Sequence, residues 1–410
     1  MACCVFRFGE FCNQANGIRN TQNGVTMIQT GLEILFTEQL DLLRGKRVGL
    51  ITNPTGVTRA LRSNVDALRD AGVNLVALFG PEHGFAASAA DATPVASGRD
   101  PRTGLPVHSL YGKIRKPTRE MLANVDLLLF DLQDVGVRFY TYTATLGLAL
   151  EAYAENHVQL IVLDRPNPIN GNLVEGAVLD PGLQSFIGHG PLPIRFGMTL
   201  GELAQFYNRE LNINAELRVI EMRGWNRAMW YDETGLLWVT PSPGIPNFST
   251  TITYPGMCFI EGTNLSEGRG TALPFEIVGA PWLDGYALAE ELNARRLDGV
   301  LFRAMAFTPT DSKHVGKECF GVQVHVTDRN AFRAITTGLH VIAACRALAP
   351  NQFEFLQTSW EGPHPHFDLL AGNATVREGL QTGQPVEALT RVWANDLARF
   401  EEIRKKYLLY

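Results

Sequence analysis

The chain has 410 residues, 45% of them apolar and 19% charged, with a formal net charge of −6. Such a composition can bury a sizeable core and excludes a disordered polyelectrolyte. The 36 Lys and Arg form no basic run and are outnumbered by 42 Asp and Glu, which excludes ordinary phosphate-backbone binding; no apolar stretch reaches the ~20 residues of a membrane-spanning helix.

Residues 1–26, MACCVFRFGEFCNQANGIRNTQNGVT, lack the basic start and continuous apolar core of a signal peptide. They read as a stretch ahead of a translation start at Met27 or as an unstructured, disordered leader; a cytoplasmic setting is the expectation, and a secreted or periplasmic one if the start codon is mis-called. Cys3, Cys4 and Cys12 fall in this leader, while Cys258, Cys319 and Cys345 are scattered. Without C-x-x-C spacing or a His/Cys cluster, free thiols and no metal are expected.

From residue 46 onward strands alternate with helices. KRVGLITN (46–53) is a nearly unbroken apolar run, as a strand buried on both faces requires. A helix over 63–71 follows, with Ser63 as N-cap and Gly72 as stop. Further strands are predicted at 74–80, 125–134, 158–168 and 217–222. Helices are predicted at 143–156 and at 199–211, where Thr199 and Glu202 have capping-box spacing. This alternation implies an α/β fold, a Rossmann-like, mostly parallel sheet.

The pattern changes over 241–281, which is rich in Gly, Pro, Thr and Asn and shows no helical period. Beyond it come a helix at 284–296, extended segments at 300–307 and 321–326, and helices at 330–348 and from about 386 to the C-terminus. The expected organisation is a leader (1–26), a Rossmann-like catalytic domain (27–250) and a smaller α+β C-terminal domain (251–410) that completes a cleft.

Ligands of open parallel sheets bind at the carboxyl ends of the strands. Polar residues concentrate there: Asn53 after the first strand, Glu82 and His83 after the second, Asp134, Arg138 and Tyr142 after the third, Asn167 and Glu175 after the fourth. A second constellation, residues 260–271, holds Asn264, Glu267 and Arg269 in a glycine-punctuated loop. Trp225, Trp230, Tyr231 and Trp238 read as packing at the domain junction. The absence of G-x-G-x-x-G after the first strand, and of G-x-x-x-x-G-K-[ST] and G-x-S-x-G, removes the usual nucleotide and serine-hydrolase readings. Carboxylates beside amides, Tyr and Arg suit a sugar, and paired carboxylates are the standard means of cleaving a glycosidic bond.

The motifs ITNPTGV, FGPEHG, TGLPVHSLYG, FDLQDVGVRFYTY, LDRPNPINGNLVEG, TPSPGIPN, YPGMCFIEGTNLSEGRGT and PFEIVGAPW follow one another over residues 51–282. In these the chain resembles the NamZ-like exo-β-N-acetylmuramidases, a family once catalogued only as a domain of unknown function. The resemblance implies an active site between the two domains, no cofactor, and release of terminal N-acetylmuramic acid from the non-reducing end of peptidoglycan fragments. It departs after the Glu-His-Gly, where a family-type G-F-R-G is replaced by GFAASAAD (84–91), without the Arg.

On that reading Glu82 is the expected general acid, in a Gly/Pro turn where partial burial would raise its pKa. His83 would orient it or touch substrate. Asp134 is the leading second carboxylate, with Glu175 and Glu267 behind it, and Tyr142 is a hydrogen-bond donor or nucleophile. Arg138 and Arg269 are candidates for the lactyl carboxylate; Asn53, Asn167 and Asn264 are candidates for hydroxyl or acetamido groups. Participation by the sugar's own 2-acetamido group is an open alternative. The competing readings are a non-catalytic muropeptide or sugar sensor on the same scaffold, an N-acetylglucosaminidase, and an amide-cleaving enzyme. Oligomeric state is not legible.

Overall fold

A computed structural model describes residues 21–22, 25–87, 93 and 97–410. Cys3, Cys4, Cys12 and most of the leader lie outside the described residues, as does the 88–91 part of the departing loop. A short antiparallel pair, β1 (Thr21–Gln22) and β2 (Val25–Thr26), comes first, followed by a one-turn helix, α1 (Gly31–Ile34).

The main sheet has seven strands. β3 (Val48–Thr52), β7 (Leu127–Asp131) and β8 (Gln159–Leu163) form its centre. Their runs VGLIT, LLLFD and QLIVL are apolar on both faces, and helices cover both sides. Around them lie β4 (Leu75–Gly80), β5 (Gly98–Arg99), β6 (Pro106–Ser109) and β9 (Leu217–Ile220), in the order β5-β6-β4-β3-β7-β8-β9. Every neighbouring pair is parallel except β5 with β6. The chain starts at β3, runs outward through β4 to β6, then returns to β7, so the switch point lies between β3 and β7. The Rossmann-like α/β expectation holds; β5 and β6 are short edge strands with too little periodicity to be seen in the sequence.

α2 (Asn64–Asp70) is capped by Ser63, and α3 (Arg119–Leu122) by Thr118. α4 (Tyr142–Asn156) is buried almost all round and ends at His157, in the left-handed region with φ 54°. α5 (Leu200–Glu210) starts at the expected Thr199–Glu202 capping box.

The second unit has a three-stranded antiparallel sheet ordered β10-β12-β11, from β10 (Ile277–Ala280), β11 (Val300–Phe307) and β12 (Cys319–Val326). α7 (Gly285–Ala294), capped by Asp284, packs on it, and α8 (Ala334–Leu348) packs against α7. The single C-terminal helix expected from residue 386 is broken into α11 (Val386–Arg391) and α12 (Ala394–Arg404), preceded by α9 (His366–Ala371) and α10 (Thr375–Thr382). The chain end then straps back onto the main sheet. Tyr410 Oη donates to Asp164 Oδ2 at 2.8 Å, and Arg404 Nη1 donates to the carbonyls of Gly171 and Gly197. One continuous apolar core, including Phe130, Tyr254, Phe275 and Leu339, spans both units. Trp230 and Tyr231 are buried at the junction as expected, with Trp230 Nε1 donating to Asn330 Oδ1 at 3.0 Å.

One element contradicts the reading of 241–281 as non-helical: α6 (Phe248–Met257) forms there. Its Thr residues and internal Pro255 disfavour a helix locally, but packing against α8 overrides that preference. A Cβ on Gly256 would sit 1.8 Å from the Ala334 carbonyl oxygen, and one on Gly338 2.2 Å from that of Gly256. The two backbones touch because neither residue has a side chain. Gly256→Ala is therefore expected to lower unfolding free energy by roughly 1–3 kcal/mol in urea titrations. Gly182→Ala, where an added Cβ meets nothing within 4 Å, is expected to stay within about 0.5 kcal/mol of the parent. Equal stability of the two variants would contradict the packing.

Candidate active site

Much of the polar edge of the central strands is filled from within. Asp131 and Arg165 form a buried ion pair at 2.6 Å, and Asn64 Nδ2 donates to Asp131 Oδ2 at 2.7 Å. Asn53 Oδ1 accepts from the N–H and hydroxyl of Thr55, and its Nδ2 donates to Tyr142 Oη. Tyr142 is fully buried and donates to the Pro241 carbonyl at 2.8 Å; burial pushes its phenol up, away from ionisation.

The open space lies to one side, between the β4 and β7 loops and the second unit. This cavity of about 240 Å³ is lined by Glu82, His83, Tyr111, Tyr140 and Thr141 from the first unit, and by Tyr254, Glu261, Arg269, Asp311, Glu361 and His366 from the second. Of the residues expected from sequence, it brings together Glu82, His83 and Arg269.

Glu82 leaves β4 in a tight turn. Gly84 N–H donates to the Pro81 carbonyl at 2.9 Å, with His83 and Gly84 both in the left-handed region at φ 67° and 77°. A Cβ on Gly80 would lie 2.5 Å from the Phe85 nitrogen, so glycine there lets the turn fold back on its strand. A non-glycine residue at positive φ is strained, a feature common at functional sites. The Glu82 carboxylate is buried at 8% exposure and accepts from Thr141 Oγ1 at 2.7 Å. Tyr111 adjoins it: burial, together with the Glu82 charge and hydrogen bond, drives the phenol pKa upward, so Tyr111 is a neutral donor.

On the facing wall Arg269 Nε donates to Glu261 Oε1 at 2.8 Å, and its guanidinium stacks 4.7 Å from the Phe275 ring. Burial would raise the Glu261 pKa, but the charges of Arg269 and Lys313 and the Arg269 hydrogen bond outweigh it and hold Glu261 below its ordinary value. Glu361 makes a two-pronged bridge to Arg115 of the first unit, at 2.7 and 2.8 Å. His366 is buried, its Nδ1 2.8 Å from Ser359 Oγ, and burial pushes its pKa down to about 4, leaving it neutral.

The other expected residues do not line the cavity. Arg138 is 0% exposed and donates to the carbonyls of Ala177, Leu192 and Leu370; burial lowers its pKa to about 9. It joins the first unit to α9. Glu175 pairs with Arg195 at 3.1 Å. Asn167 bonds Met198 and Ile169, and Asn264 bonds Gln352 and Glu354. Glu267 is buried beneath the cavity wall, bound to Lys313 and Ser312. Each meets backbone or an opposite charge because a buried polar group must.

The sequence alone assigns no role to Tyr111, Thr141, Tyr254, Glu261, Glu361 or His366, although Thr141 and Glu261 fall within its two polar constellations. Tyr254, Cys258 and Glu261 recur at i, i+4 and i+7 along α6 and the turn after it, a signal hidden once that segment is read as non-helical. Tyr111 stands inside a long motif with no charge to draw the eye, and Glu361 and His366 are remote in sequence from everything they meet.

Asp134 is buried behind Tyr140 and Tyr142. Its Oδ2 accepts from Gly136 N–H at 2.7 Å and Oδ1 has no protein partner. Burial pushes its pKa from 3.8 up to about 7. Between those values the folded chain holds a proton that the unfolded chain has released, so this group's contribution to stability falls as pH rises from about 4 to about 7. Asp134→Asn keeps the acceptor and cannot ionise. In urea unfolding it is expected to gain on the parent across that window, by at most about 4 kcal/mol at pH 8; a pH-independent difference would contradict the buried neutral acid.

Comparison with known proteins agrees with this two-part architecture. The N-terminal model of the exo-β-N-acetylmuramidase NamZ family matches residues 48–249, and its C-terminal model matches residues 252–410. The peptidoglycan β-N-acetylmuramidase NamZ of Bacillus subtilis (strain 168) is 50% identical over 384 residues, covering 93% of this chain and 91% of the relative. Crystal structures of two DUF1343 family proteins from Bacteroides fragilis NCTC 9343 superpose with TM-scores of 0.85 and 0.75, at 40% and 31% identity. Each covers 93% of this chain and 99% of its own. The chain belongs to the exo-β-N-acetylmuramidase NamZ family.

Proposed function

We propose that this chain is a glycoside hydrolase that releases terminal N-acetylmuramic acid from the non-reducing end of peptidoglycan-derived saccharides. Membership of the family and the 50% identity to the Bacillus subtilis enzyme support the activity. The observation that carries the reading to particular residues is the buried Glu82, which lines a cavity that both units enclose.

Glu82 is the proposed general acid. Its proton passes to the glycosidic oxygen as the C1–O bond of the muramic residue breaks, the aglycone leaves as an alcohol, and water adds its hydroxyl to C1 while its remaining proton restores the Glu82 carboxyl group. Thr141 and Tyr111 hold the carboxyl group in place. Arg269 is the proposed partner of the lactyl carboxylate, since its guanidinium lines the cavity and a guanidinium can hold a carboxylate through two parallel hydrogen bonds. Arg138 is not proposed for this role, because its two Nη atoms are bonded to carbonyls. His83 lies beside Glu82 on the cavity wall and is proposed to touch substrate. Aromatic walls of Tyr140 and Tyr254 suit the apolar faces of a pyranose.

Glu82→Gln is expected to lose roughly 10²–10⁴ of kcat on a muramic-acid disaccharide, and much less on para-nitrophenyl β-N-acetylmuramide, because nitrophenolate leaves without a proton. Near-parent turnover of the disaccharide by the variant contradicts the assignment. Arg269→Ala is expected to lose kcat/KM on the para-nitrophenyl muramide by roughly 10–100-fold, as for a hydrogen bond to a charged group, and far less on any residual glucosaminide cleavage. Equal losses on the two sugars would remove the lactyl role.

A further inference from the structure

Ten large hydrophobic side chains are exposed among the described residues, and of these Trp360 alone lines the cavity, at 55% exposure. A singly exposed apolar side chain is ordinary; what sets Trp360 apart is its place on the cavity and the way its ring is held. The ring is not loose. His366 packs against it at 4.0 Å between centroids, tilted by 33°, and His366 is itself anchored through Ser359. The next residue, Glu361, is clamped by Arg115, whose guanidinium stacks 4.6 Å from the Phe186 ring. The segment carrying Trp360 is thus tied down on both sides of the indole, once within the second unit and once to the first.

We infer that Trp360 is the stacking platform for the sugar on the leaving-group side of the scissile bond. This rests on the muramidase reading above. An exo-acting enzyme buries the terminal sugar and leaves the next one at the mouth, and the same cavity is lined by the buried Glu82 and the half-exposed Trp360. The C–H face of a β-linked N-acetylglucosamine matches a rigid, flat, half-solvated aromatic ring. Backing by a histidine that stays neutral keeps the platform unchanged across physiological pH. Trp360 therefore sets the preference for a saccharide aglycone over a small one and takes no part in proton transfer.

The test compares the N-acetylmuramyl-β-1,4-N-acetylglucosamine disaccharide with methyl β-N-acetylmuramide, whose aglycone is too short to reach the indole, both read by release of muramic acid. In Trp360→Ala, kcat/KM for the disaccharide is expected to fall three- to tenfold further than for the methyl glycoside, mainly through KM; that is about 0.7–1.4 kcal/mol at about 1.4 kcal/mol per factor of ten. Trp360→Phe is expected to recover most of the difference. Equal losses on the two substrates, or no loss on either, overturn the platform while leaving the muramidase reading intact. A parent enzyme that releases no muramic acid from either substrate overturns that reading, and the platform with it.

Discussion

The buried ion pair between Asp131 and Arg165 is the constraint on which the arrangement of the site depends. Both residues stand at the carboxyl edge of the central strands, where an open α/β sheet ordinarily receives its ligand. Here Asp131 is 0% and Arg165 5% exposed, and Asn64, Thr52 and the Val57 carbonyl complete the network. Removing either partner would strand a charge in the interior, at a cost of about 3–5 kcal/mol. With the switch point closed in this way, the free space moves outward to the end of β4, where Glu82 sits, and the second unit supplies the opposite wall. Tyr142 extends the same closure by holding Pro241 and hence the segment that leads into α6.

The cavity is consequently a joint product of two units with one apolar core. Glu361 to Arg115, Arg138 to Leu370, and Tyr410 to Asp164 each tie residues more than 200 positions apart in the chain. Charge within the cavity is also balanced wall by wall, with Arg269 against Glu261 and Arg115 against Glu361. Glu82 meets the hydroxyl groups of Thr141 and Tyr111.

The parallel sheet was legible because strands such as LLLFD must be apolar on both faces, and α5 was legible because Thr199 and Glu202 cap it reciprocally. The family was legible from long ordered motifs, and the family models and the Bacillus subtilis relative bear that reading out. Individual site residues were less so. Asn53, Arg138 and Asn167 satisfy buried backbone and side-chain groups, and a polar residue kept for that purpose has the same appearance in sequence as one kept for chemistry. Helix α6 was hidden because its stability comes from the glycine contact with α8, a tertiary fact with no local signature. The loop carrying Trp360, Glu361 and His366 has no periodicity, and its meaning depends on Arg115, 246 residues before Glu361.

The central claim is terminal, muramic-specific cleavage in the Glu82 cavity. It is tested most directly by giving the purified protein two defined glycan chains, one ending in N-acetylmuramic acid at its non-reducing end and one ending in N-acetylglucosamine, and following the products by mass spectrometry. The account predicts free N-acetylmuramic acid and a chain shortened by one sugar from the first, and no product from the second. Internal fragments, release of N-acetylglucosamine, or tight binding of the first chain without any cleavage would contradict it.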